Sequence, residues 1–215
     1  MFTSRKIPIG TIVIFGFFLI TMVAAYFLTK PSPPPAELAG VLRPDFKQQL
    51  QPFKLTDHNN TAFTEKNFLG KWSFVFFGFT NCPHVCPTAL NVLNSIHGLL
   101  VEEAGKIPDD MQVVFISVDP ERDTIERMAE YIPKFNKDFI GTRADKKEID
   151  QIAKQFGSGY VKEKETSSGD YDVAHTSAFF LVDPYGRVVA TFSQPQVPST
   201  IASQYKKIRK YFSWD

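Results

Sequence analysis

Cys82 and Cys86 are the only cysteines of the chain, and both lie in Thr80-Asn-Cys82-Pro-His-Val-Cys86-Pro-Thr88. Thiols at this spacing support a disulfide, a redox couple or a clamp for one soft metal ion. In an oxidising compartment the plainest reading is a structural bridge. Such a bridge would close a very small loop, and in the chain-entropy account stabilisation grows with loop length, so its contribution would be slight. Pro87 suits the first position of a helix, where its missing N–H would be unpaired anyway, and that places Cys86 at the N-cap. Free backbone N–H groups and the dipole at that end favour thiolate over thiol, which lowers a cysteine pKa and strengthens soft-metal binding. Redox and metal readings both remain open until a third residue separates them.

The candidates for that residue are His58, His84, His97 and His175. His58 sits in a polar turn, and His97 falls on an apolar helical stripe, where a structural role is the simpler one. His84 lies between the cysteines, and turning both sulfurs inward turns it away. His175, in Asp172-Val-Ala-His175-Thr-Ser177, enters just ahead of an apolar strand pattern. In a thioredoxin fold the loop before that strand packs on the cysteine turn and carries a proline, whereas this chain has none between Phe156 and Asp183. An imidazole facing two thiolates makes a donor set suited to copper, Cu(I) above all. Structural zinc generally takes four protein ligands, and no second cysteine pair or histidine cluster supplies them. Outside such a fold His175 reads as an ordinary loop residue. In the redox reading, Cys82 or Cys86 attacks a partner disulfide and the other resolves it.

The elements that must position these groups follow from pattern. Phe53 to Asp57 reads as a short strand, and Trp72 to Phe79 is a continuous apolar run of the kind buried on both faces of a parallel sheet. Leu90, Leu93, Ile96, His97 and Leu100 recur at helical spacing from Thr88 to Glu102. Met111 to Val118 is a second buried strand. A helix from Thr124 to Phe135 breaks near Pro133, Phe139 to Ala144 is a further strand, and Lys146 to Phe156 a helix. Thr176 to Val182 and Val188 to Phe192 form a hairpin turned at Asp183-Pro-Tyr-Gly186, and Ser199 to Phe212 is the closing helix. A parallel β-α-β unit, then a hairpin and a final helix, is the element order of an α/β, thioredoxin-like fold with additions. Asp119 ends a parallel strand, where α/β sites gather and where it has the reach of an outer hydrogen bond to a metal-site group; Asp123 reads as the cap of the next helix.

Ahead of this domain, Ile7 to Leu28 is uncharged and long enough to cross a bilayer core of about 30 Å at about 1.5 Å per residue. Arg5 and Lys6 place its N-terminus in the cytoplasm and the domain outside. A cleaved signal peptide is the rival, with small residues at Val23-Ala-Ala25, but the run exceeds an h-region of about 7 to 15 residues. The expected organisation is a cytoplasmic stub and transmembrane anchor over 1–29, a proline-rich spacer over 30–45 and the thioredoxin-like domain over 46–215. With six residues before the span there is no room for an organellar transit peptide, so the expected address is a bacterial inner membrane with the domain in the periplasm or on the outer face. The 215 residues carry 24 Lys and Arg against 23 Asp and Glu, a net charge of +1, which gives no sign of a nucleic-acid partner. Twenty-one Phe point to an aromatic interior.

Phe77-Gly-Phe-Thr-Asn-Cys82-Pro-His-Val-Cys86-Pro-Thr88, Ile116-Ser-Val-Asp119-Pro-Glu-Arg-Asp123-Thr124, Ala174-His175-Thr-Ser177 and Leu181-Val-Asp-Pro-Tyr-Gly186 together resemble the Sco/SenC family, from about residue 46 to the C-terminus. The resemblance implies a copper site, for Cu(I) or Cu(II), made by Cys82, Cys86 and His175. It also implies a metallochaperone that delivers copper to, or prepares, the dinuclear copper centre of cytochrome c oxidase. Implied partners are the oxidase's copper-accepting subunit, other copper chaperones and thioredoxin-like reductants. The alternative is a thiol-disulfide oxidoreductase of the cell envelope.

Overall fold

The computed structural model describes residues 9–29, 34–43, 48–105, 110–166 and 171–212. It divides into two compact units, one ending at Pro35 and one beginning at Ala36.

In the first unit, helix α1 spans Ile9–Thr29 and is apolar throughout, with no acidic or basic residue in its end turns. Ile12, Ile14, Phe15, Phe17, Phe18, Ile20 and Tyr26 are all exposed. A helix apolar on every face needs a bilayer or a protein core around it. Its side chains are described from 10 to 26, and among the described residues no helix is long and apolar enough to cross a membrane. The expected stub at 1–8 and the start of the spacer at 30–33 lie outside the described residues, as does Phe46, where the domain was expected to begin.

The second unit starts earlier than 46. Leu38 is fully buried, the Arg43 N–H donates to the Val189 carbonyl at 2.9 Å, and the Thr191 N–H donates to the Val41 carbonyl at 2.8 Å. Its elements are β1 (Leu55–Asp57), β2 (Ala62–Phe63), β3 (Trp72–Gly78), α2 (Val85–Ala104), β4 (Met111–Ser117), α3 (Ile125–Tyr131), β5 (Ile140–Arg143), α4 (Lys146–Phe156), β6 (Tyr160–Lys162), β7 (Val173–His175), β8 (Phe179–Val182), β9 (Val188–Phe192) and α5 (Pro198–Phe212). A seven-stranded sheet runs β2-β1-β5-β4-β3-β8-β9. β3, β4 and β5 are parallel, while β8 is antiparallel to β3 and β9 to β8. The expected α/β order, parallel unit before hairpin, is the order observed.

β3 and β4 are buried along their whole length, and the two-residue period of β3 sorts its rings by face. Phe77 meets Phe156 of α4 at 5.4 Å and Phe180 at 5.8 Å. Phe74 meets Tyr205 of α5 at 5.3 Å, and Phe76 meets Phe115 at 6.0 Å and Phe179 at 5.7 Å. Phe74, Phe76 and Gly78 therefore share a face, and that face runs out at a glycine.

Candidate metal centre

The loop leaving β3 delivers both sulfurs. α2 begins at Val85 with His84 as its N-cap, earlier than Pro87 suggests. Pro87 still falls in the first turn, where an N–H has no intrahelical partner, so it starts no helix and breaks none. Cys86 thus lies inside the helix, and its N–H donates to Cys82 Sγ at 3.3 Å. One free N–H of the helix end thus serves the Cys82 sulfur directly. Cys82 is 8% exposed and Cys86 0%; both are free thiols. At Cys86 the expected lowering of pKa does not occur. Burial pushes this thiol well up, outweighing a backbone hydrogen bond at Phe79, and the Cys82 charge adds to the rise.

His175 does not stand in the run-up to a long strand. It ends β7, paired with β6 in a separate two-stranded sheet in which Tyr160 faces it, and β8 begins only at Phe179. Its Nε2 lies 3.4 Å from Cys86 Sγ, and its Nδ1 lies 3.2 Å from the Thr176 carbonyl. A carbonyl can only accept, so Nδ1 carries the proton and Nε2 offers its lone pair to the sulfurs, the tautomer a metal requires. Phe76 and Phe79 hold the imidazole edge-on at 5.8 and 5.9 Å. Burial lowers the His175 pKa, which keeps it neutral. The ligand atoms of Cys82, Cys86 and His175 all lie within 4.8 Å of one another, and among the described residues they are the one such group. Two soft sulfurs and an imidazole fit a copper ion.

The other histidines stay apart from this cluster. His84 is exposed. His58 Nδ1 accepts the Gly141 N–H at 3.1 Å, and His97 packs on Phe139 at 6.1 Å.

Asp123 departs from its expected role. The N-cap of α3 is Thr124, whose hydroxyl accepts the Arg127 N–H at 3.2 Å. Asp and Thr are both common cap types, so the sequence alone did not distinguish them. The Asp123 carboxylate is instead fully buried and takes the Thr80 N–H at 3.1 Å, the Thr80 hydroxyl at 2.5 Å and the Ser117 hydroxyl at 2.6 Å. Arg127 donates to the Thr80 hydroxyl at 2.5 Å and also to Asn81. This network grips the two residues ahead of Cys82. Asp119 pairs with Arg122 at 2.5 Å and accepts the Tyr171 hydroxyl at 2.7 Å. Asp123→Ala strands two hydroxyls and an N–H in the interior. The expected cost is roughly 3 kcal/mol, read by urea denaturation of the reduced protein, and an unchanged midpoint would contradict the assignment.

Gly78 is the site residue that sequence reading overlooked. A Cβ there would stand 2.9 Å from Phe115 Cε2 and 3.0 Å from both Cys86 Sγ and Phe76 Cε1. The available signal was a lone glycine in an otherwise aromatic strand, which marks a close approach.

A parallel-centred sheet with a thiol pair at a helix N-terminus and an imidazole brought over it by a hairpin defines a thioredoxin-like domain with a soft-metal donor set. The family model described as SCO1/SenC matches residues 43–211, and the chain belongs to the SCO1/SenC family. It is 34% identical over 165 residues to the mitochondrial SCO1 homologue of Homo sapiens, covering 74% of this chain and 54% of that one. To the SCO2-like protein of Rickettsia prowazekii it is 34% identical over 188 residues, covering 86% and 89%. The chain thus spans about half the length of the human relative and nearly all of the rickettsial one. Among solved structures, Arabidopsis thaliana ScoI with copper bound aligns at a TM-score of 0.69 and 34% identity, covering 75% of this chain and 98% of that one. Yeast Sco1 with copper bound aligns at 0.68 and 32%, covering 74% and 87%.

Proposed function

We propose that this protein is a copper metallochaperone in which Cys82, Cys86 and His175 hold the ion and pass it by ligand exchange to the dinuclear copper site of cytochrome c oxidase. The observation that carries the reading is His175 Nε2 at 3.4 Å from Cys86 Sγ, with its Nδ1 proton committed to a carbonyl. Copper bound in relatives above 30% identity supports the choice of metal. Three ligands leave copper coordinatively open, so an acceptor thiolate or imidazole can join before a donor leaves. We further propose that α1 anchors the domain in a bacterial inner membrane, where a bilayer would cover its exposed apolar side chains.

The test is copper uptake by the reduced full-length chain in detergent under anaerobic conditions, compared with the protein oxidised to a Cys82–Cys86 disulfide. One copper per reduced chain and none per oxidised chain is expected; no stoichiometric uptake by the reduced chain would overturn the reading. The same titration carries a pH prediction. Cys86 holds its proton in the apo protein because burial raises its pKa, and copper must displace that proton. Affinity should therefore rise by about tenfold or more per pH unit between pH 7 and 9. His175 is already neutral there and adds no slope.

One observation favours a second reading as a thiol-disulfide oxidoreductase: the Cys86 N–H pointing at Cys82 Sγ would steady a Cys82 thiolate for attack on a partner disulfide. The two activities are compatible, because an acceptor's cysteines must be reduced before they take copper.

A further inference from the structure

His175 is carried by a hairpin that lies outside the main sheet. β6 and β7 form a two-stranded sheet of their own, each strand three residues long, and such a pair is marginal in water without support. The position of the imidazole therefore depends on side-chain contacts between the hairpin and its surroundings. One tie is at Tyr160, which faces His175 in register and whose hydroxyl donates to Asp150 of α4 at 2.5 Å. The other is at Tyr171. Pairing continues beyond β7 to the Asp172 carbonyl, which accepts the Glu163 N–H at 2.9 Å. Along 171–175 burial alternates, with Asp172 and Ala174 exposed and Val173 buried. Tyr171, Val173 and His175 thus share the inward face.

Tyr171 meets the loop that follows β4. Its hydroxyl donates to Asp119 at 2.7 Å, its carbonyl accepts from Arg122 at 2.9 Å, and the Arg122 guanidinium carbon lies 3.6 Å from its ring centroid. Arg122 in turn pairs with the buried Asp119 and lies 5.8 Å from the ring of Phe79, which packs on His175. The next residue, Asp123, binds Thr80, two residues ahead of Cys82. One short stretch, 119–123, therefore grips both the cysteine loop and the histidine hairpin.

We infer that Tyr171 is a positioning residue for copper: its anchorage on Asp119 and Arg122 holds the β6–β7 hairpin where His175 Nε2 meets the sulfurs. The inference rests on the copper reading. Tyr171 acts through His175, at the far end of the same face. Without its anchor the hairpin keeps the tie at Asp150, but the imidazole is no longer held at one distance from Cys86, and copper is left with two firm donors.

The experiment is a double-mutant cycle on Cu(I) affinity, measured by chelator competition on the reduced full-length chain in detergent, with Tyr171→Ala, His175→Ala and the two combined. Tyr171→Ala alone should weaken binding by about 10- to 100-fold, the range for removing a group that orients a metal ligand. Tyr171→Phe, which keeps the ring for Arg122, should recover part of that loss. In the His175→Ala background Tyr171→Ala should cost nothing further, because the ligand it positions is gone. Equal losses with and without His175, or wild-type affinity in Tyr171→Ala, would overturn the role of Tyr171 and leave the copper reading intact. If Tyr171→Ala does not fold, the cycle is run with Tyr171→Phe: a smaller loss that vanishes without His175 supports the role, and no loss or a persistent one overturns it. Failure of the wild type to bind copper overturns the copper reading and the role of Tyr171 together.

Discussion

His175→Ala is expected to lose tight copper binding while leaving the thiol pair chemically competent. Removing one of three donors leaves a two-sulfur site, and the loss should exceed the roughly 10- to 100-fold that follows when a partner outside the first ligands is removed. Competition between the reduced protein and a Cu(I) chelator measures it directly. Reduction of an oxidised acceptor peptide should persist in the variant, because electron exchange needs Cys82 and Cys86 alone. Either cysteine changed to Ser should abolish both activities. A variant that binds copper as tightly as the wild type would remove His175 from the ligand set and leave the two sulfurs as the copper site.

The same histidine gives the apo protein a pH signature. Burial places its folded pKa below the ordinary 6.5, so on acidification the unfolded chain takes up the proton first. Stability is full above pH 6.5 and falls as pH drops from there through the folded pKa. In His175→Ala this part of the acid sensitivity should disappear, which chemical denaturation at pH 7.5 and pH 5.5 would show.

The larger elements were legible in the sequence because each satisfied a period over enough residues to be counted. α4 runs Lys146–Phe156, the expected range, with a cap at Asp145 and Gly157 closing it in a left-handed conformation. The hairpin turn at Asp183–Gly186 follows from an aspartate that accepts the N–H groups of Tyr185 and Arg187, and from a glycine at positive φ. β6 and β7 escaped notice because Tyr160–Lys162 and Val173–His175 lack the alternation over five residues that marked Phe53 to Asp57 around β1. That miss matters, since β7 is the element that carries His175. Residue types in the site were readable, but its electrostatics were not. A helix end lowers a cysteine pKa and burial raises it, and the complete burial of Cys86, near Phe76 of β3 and Phe115 of β4 above Gly78, depends on elements far apart in sequence.

That burial makes Gly78→Ala the most disruptive small change available near the site. One methyl would be added 2.9 Å from Phe115 Cε2, a separation real Cβ atoms essentially never show, and 3.0 Å from Cys86 Sγ and Phe76 Cε1, where a neighbour must give way. Phe76 and Phe115 are fully buried and wedged among Phe179, Tyr131 and each other, so neither ring can yield without moving the core. Overpacking of this kind costs about 1–3 kcal/mol. The added methyl presses equally on Cys86 Sγ, in the first turn of α2. A displaced Cys86 Sγ departs from His175 Nε2, now 3.4 Å away, and the donor triangle opens. The expected result is a folded, less stable protein whose copper affinity falls far more than its stability, measured by urea denaturation beside chelator competition. Comparable copper affinity in a folded Gly78→Ala variant would mean that Cys86 binds from a position other than the one held here, and that the strand's glycine serves packing alone.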